Sequence, residues 1–125
     1  MAEIDISVDD VARVILLARE IQEQGAIGAH DGVRDRSAGP LAAHEFRSFV
    51  DDLYEDQQAA LVALTWIGRE DFGPEEYPEA LQTARQEAVN KTSGYLIGIP
   101  NLADYLEAGL EALGIDPGAA EDGVY

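Results

Sequence analysis

The chain has 125 residues, 46% of them hydrophobic, and sets 25 acidic against 8 basic residues for a net charge of −17 at pH 7. One domain of this size buries roughly two-thirds of its unfolded surface, and the apolar content argues against disorder. The charge disfavours sequence-independent binding to nucleic acid or anionic membranes, while the lack of cysteine excludes a disulfide scaffold, a thiolate nucleophile and a zinc–thiolate site.

The first ten residues are acidic and lack the basic-then-apolar layout of a signal peptide. No apolar run approaches the ~20 residues of a membrane helix, so a cytoplasmic location without membrane contact is expected. Ser7 reads as the N-cap of a first helix over 7–24, with Asp9 and Asp10 in the first turn where the helix dipole favours acids. Val8, Val11, Val14, Ile15, Ala18 and Ile21 recur at helical spacing, whereas Leu16 falls on the polar side. Gly25 reads as the stop. Residues 25–40, with four glycines and a proline, predict a long loop, mobile rather than functional.

A second helix is expected from Leu41 to about Leu53, and a third from Gln57 to Gly68. The third is apolar on every side, the signature of a central core helix. A fourth is expected from Pro74 to Asn90, with Pro78 tolerated near its start and a narrow alanine-rich face suited to close helix approach. Thr92–Ile97 predicts a short helix. Asn101, with Asp104 three residues on, reads as a variant capping box for a last helix. Gly109 on that helix's apolar face needs a packing reason to offset its ~1 kcal/mol helix-propensity cost. Residues 114–125 read as an acidic flexible tail. No strand alternation is present, so the expected fold is a single all-α domain of five or six helices, the helical core spanning 41–113, with a long loop after the first helix.

Catalytic patterns are absent. His30 and His44 have no second histidine or cysteine at ligand spacing. Ser37, Ser48 and Ser93 lack a GxSxG or SxxK context, and the glycines form no nucleotide-binding loop. Acids cluster at Asp51, Asp52, Glu55 and Asp56, and again at Glu70, Asp71, Glu75, Glu76 and Glu79, without the ligand spacing of an EF-hand. A solvated acidic surface accounts for both. No catalytic residue, metal site or cofactor is therefore expected. Trp66 reads as core. Tyr95 and Tyr105 stay open between core and contact roles, since tyrosine serves both.

The segments QQAALVALTWIGR (57–69) and NKTSGYLIGIPNLADYLEAGL (90–110) resemble domain-of-unknown-function family 3775 of small bacterial proteins. The correspondence runs through Gln57, Leu61–Leu64, Trp66, Gly68, Arg69 and Asp71, then Thr92, Tyr95, Leu96, Gly98, Pro100, Leu102, Asp104–Glu107, Gly109 and Leu110. The first helix is also similar to longer members, which extends the resemblance over most of the chain. Glu70 stands in place of a glycine, Lys91 of an arginine and Ala108 of a glutamate. The glutamate at 70 would disfavour a turn needing positive φ, so a differently shaped turn is expected there. The resemblance implies a bacterial protein and no assigned activity.

The leading expectation is a small acidic non-enzymatic module that binds a protein with a basic surface, with no direct nucleic-acid contact. Its candidate surface comprises Arg69, Asp71, Tyr95, Gly98, Pro100, Asp104 and Tyr105. The alternative is a carboxylate-based enzyme or divalent-cation-binding protein built on Asp104, Asp71 and Arg69 in one pocket. Homo-oligomerisation has two candidate faces, the alanine-rich fourth helix and Gly109, and is opposed at low salt by the net charge.

Overall fold

A computed structural model describes residues 4–31, 38–87 and 91–115, with side chains for 4–22, 41–87 and 91–115. Among the described residues six α-helices follow one another: α1 Val8–Asp31, α2 Ala38–Asp51, α3 Glu55–Gly68, α4 Tyr77–Gln86, α5 Thr92–Ile97 and α6 Leu102–Ala112. A single 3₁₀ turn, Pro74–Glu76, precedes α4. No strand occurs among the described residues, as the sequence pattern predicts.

The helix starts depend on local polar contacts. Ser7 Oγ accepts the amide of Asp10 at 3.1 Å, which satisfies one of the unpaired donors at the start of α1. Val11, Val14, Ile15 and Ala18 face inward while Leu16 is exposed, matching the expected stripe. The helix does not stop at Gly25, however, but continues to Asp31. A glycine costs only about 1 kcal/mol in a helix interior, so it need not end one. α2 likewise begins at Ala38, with Pro40 inside its first turn, where a missing N–H is harmless. The break expected over 25–40 is thus helical at both ends. Its middle, 32–37, and the tail beyond 115 lie outside the described residues.

α3 is the axis of the domain. Residues 59–67 are buried without interruption, and the Thr65 hydroxyl within that run donates to the Leu61 carbonyl at 2.9 Å, so that buried hydroxyl is not left unpaired. α3 packs on α4 along one side and on α6 along another, while α1 packs on α2 and α6. At the α3–α6 crossing, a Cβ on Gly68 would run into the Tyr105 carbonyl and one on Gly109 into the Leu64 carbonyl. Gly109 therefore has the packing reason that its helix position demands. Ala80 and Ala84 are buried against the rest of the chain. Ala80, Ala84 and Gly109 are thus covered by the chain's own helices.

Two expectations about helix boundaries are corrected. The helix expected over Pro74–Asn90 is a 3₁₀ turn followed by an α-helix from Tyr77 to Gln86; Pro78 sits in the first turn of that α-helix, where it is tolerated as expected, and cannot bond back to residue 74. Residues 88–90 lie outside the described residues. Asn101 does not cap α6 with its side chain. It is left-handed, with φ 61° and ψ 28°, whereas a capping side chain requires an extended backbone at that position.

Polar side chains join the helices, several of them at helix ends. Gln58 Nε2 donates to the Val50 and Leu53 carbonyls at 2.8 and 3.2 Å, closing the end of α2. The buried Ser93 hydroxyl donates to Asp51 at 2.7 Å, Arg85 pairs with Asp56 at 2.7 Å, and Arg19 pairs with Glu107 at 2.6 Å. Tyr77 ties the segment before α1 to the start of α4: its hydroxyl accepts the Asp5 amide at 3.3 Å and lies 3.4 Å from the Asp5 carboxylate. Burial pushes the Tyr77 pKa up from 10.0 to about 12, while the bond from the Asp5 amide acts against that rise. A phenol with a raised folded pKa stabilises the fold fully below its unfolded pKa and loses that contribution as pH climbs through the folded value. Denaturant unfolding should therefore show stability falling between pH 10 and about 12. Tyr77→Phe should flatten that limb at a cost of about 1 kcal/mol near neutrality.

Candidate functional site

The end of α3 shapes the site. Asp71 N donates to the Trp66 carbonyl at 2.9 Å and Glu70 N to the Ile67 carbonyl at 3.0 Å. This pair of bonds is a Schellman motif, in which the penultimate donor is left-handed and usually glycine. α6 ends in the same way: Ile115 N donates to Leu110, Gly114 N donates to Glu111, and Gly114 has φ 82°. At the end of α3 the left-handed position is held by Glu70, with φ 71°. The expectation that a glutamate would reshape this turn is thus overturned. The two main-chain bonds, reinforced by Phe72 stacking on Trp66 with ring centroids 5.7 Å apart, hold the left-handed geometry against the side chain's preference.

That turn places Arg69 and Asp71 side by side. Arg69 Nε and Nη2 both donate to Asp71 Oδ2, at 2.9 and 2.7 Å. The bond to Asp71 raises the guanidinium's pKa above its ordinary value, and the Tyr95 hydroxyl adds to the rise more weakly. Tyr95 itself comes from α5. Its hydroxyl accepts the indole N–H of the buried Trp66 at 3.1 Å, yet the residue stays 44% exposed. The phenol is thus anchored by its tip with its ring open to solvent.

Of the seven residues singled out in sequence, Arg69, Asp71 and Tyr95 come together. The other four lie elsewhere. Gly98 and Pro100 border a separate cleft of about 220 Å³, walled by Ala18, Ile21, Phe46 and Leu102. Asp104 lies 3.9 Å from Arg19, with its side chain 71% exposed, and Tyr105 is partly buried with its backbone against Gly68. Asp71 pairs with Arg69, whereas Asp104 lies beside Arg19. Among the described residues no group of three or more histidines and acids could hold a metal ion. Trp66 is core, as read. The residues missed in sequence are Phe72 and Glu70. Phe72 had a signal, an apolar residue just past a helix end, where it can pack back on the last turn.

A family model described as "Protein of unknown function (DUF3775)" matches residues 43–115, more than half of the chain, and the chain belongs to that family. The match contains the whole Trp66–Phe72 turn and Tyr95, but not α1, so the similarity expected for the first helix forms no part of it. No curated protein and no solved structure matches the chain.

Glu70 offers a direct check on this geometry. A left-handed residue other than glycine costs about 1–2 kcal/mol, part of which glycine returns through its greater unfolded-state freedom. Glu70→Gly should therefore raise stability by about 0.5–1 kcal/mol, read as a higher melting temperature. Glu70→Ala should show no such gain, since it keeps the Cβ that causes the strain.

Proposed function

We propose that the chain is a small, non-enzymatic interaction module that binds a protein with a basic surface through Arg69, Asp71, Phe72 and Tyr95. The observation that carries this reading is Tyr95: an exposed aromatic ring whose hydroxyl is fixed by a buried indole. Tyrosine, tryptophan and arginine dominate the residues whose truncation weakens interfaces most. An aromatic already held in place also loses little side-chain entropy when a partner covers it. Arg69 adds a planar donor set whose charge Asp71 offsets, so the patch does not repel a cationic partner. The net charge of −17 then speeds encounter with basic surfaces and rejects acidic ones. The same field repels nucleic-acid phosphates, so the module acts on proteins, in a bacterial cytoplasm.

The test is capture of partners by tagged protein from a lysate of its source organism, at low and high salt, with wild type and Tyr95→Ala compared. A protein partner should be retained at low salt, weakened by added salt, and reduced about tenfold or more by Tyr95→Ala while circular dichroism shows the helices intact. Equal capture by the variant, or binding indifferent to salt, would contradict the reading.

A further inference from the structure

Beside the Tyr95 patch, a groove of about 270 Å³ runs between the end of α3 and the outer face of α6. Its walls are apolar, Ile67, Phe72 and Pro74 facing the smaller Ala108 and Ala112, with Glu70 alongside them. Among the described residues the Glu70 carboxylate has no cation and no hydrogen-bond donor. Two of the neighbouring acids are engaged: Asp71 holds Arg69 and Glu76 Oε1 accepts the Gly73 amide at 2.7 Å. Glu70 also stands at φ 71°, where glycine would serve the turn better, as Gly114 does at the end of α6. An unpaired carboxylate thus borders an apolar trough, at a position that disfavours any side chain.

We infer that this groove receives a single arginine or lysine side chain of the basic partner, the stem lying on Phe72, Ala108 and Ala112 and the cationic head meeting Glu70. The inference rests on the interaction role proposed above and gives it a recognised chemical group. Lysine and arginine bury their methylene stems on apolar surface while the charged end stays in water. That division matches a trough of apolar walls with one carboxylate among them. A purely apolar ligand would leave Glu70 without a purpose, and an anion would meet its charge.

The experiment is an NMR titration of the ¹⁵N-labelled full chain with N-acetyl-arginine methylamide, run in parallel with its citrulline counterpart, which has the same stem and no charge. Amide shifts should appear at Glu70, Phe72, Ala108 and Ala112 with the arginine probe and be much smaller with citrulline. Glu70→Gly should weaken the arginine titration by about two- to fivefold, the range of one exposed ion pair, in a protein that melts higher than wild type. Tyr95→Ala should leave it unchanged. Shifts confined to residues 51–56, an absence of shifts at the four groove positions, equal shifts with citrulline, or an unaltered titration in Glu70→Gly would each overturn the assignment. If the titration fails while a salt-sensitive partner is still lost on Tyr95→Ala, the groove assignment falls alone. If the titration succeeds but no such partner is captured, it is the interaction role that falls.

Discussion

The backbone-to-backbone approach of α3 and α6 is the constraint on which the rest of the molecule depends. Gly68 lies against the Tyr105 carbonyl and Gly109 against the Leu64 carbonyl. The two contacts lie four residues apart on each helix and in opposite chain directions, so the helices meet antiparallel along one full turn. Small residues at such a seam let main chains approach closely and gather many weak dispersion contacts. This seam fixes where α3 ends, and the end of α3 carries Trp66, Arg69, Glu70 and Asp71. Both the Tyr95 patch and the Glu70 groove are therefore set by a packing contact rather than by a flexible loop.

The charge distribution follows a related logic. With 8 cations against 25 acids, the placement of each cation matters. Arg19 joins α1 to α6, Arg85 joins α4 to α3, and Lys91 lies 3.8 Å from Asp51 beside the Ser93 bond. Exposed pairs of this kind contribute about 0–1 kcal/mol each, so they orient neighbouring helices more than they stabilise them. The cost is an acidic exterior, which becomes useful if the partner is basic.

Much of the fold could be read in advance. The helical stripe of α1, the Ser7 cap, the all-round burial of α3 and the packing role of Gly109 follow from periodicity and from the known cost of a glycine in a helix. What failed were judgements about where helices end. Gly25 looked like a stop because glycine often is one, yet its local penalty is small. Pro78 is tolerated in the first turn of α4, as read, but the segment before it is a 3₁₀ turn rather than part of the same helix. Asn101 has the residue type of a cap but the backbone of a left-handed turn, and Glu70 takes a conformation its side chain disfavours. In each case a local preference of about 1 kcal/mol competes with the packing of whole helices, and sequence shows only the first. The site was legible in part for the same reason. Residue type marked Arg69, Asp71 and Tyr95, but only the fold separates them from Asp104 and from the Gly98–Pro100 cleft. Tyr95 resisted assignment because its hydroxyl is bonded to the buried Trp66 while the residue stays 44% exposed.

The most direct measurement of the central claim is denaturant unfolding of Gly109→Ala beside Gly94→Ala. Gly94 lies within α5, and a Cβ there meets nothing within 4 Å. Alanine at 94 should be neutral or stabilising by up to about 1 kcal/mol, from helix propensity alone. Alanine at 109 should destabilise by about 1–3 kcal/mol, the usual cost of overpacking, because its methyl group must displace the Leu64 carbonyl. A Gly109→Ala protein as stable as wild type would show that α3 and α6 do not meet backbone to backbone, and the placement of the site would lose its foundation.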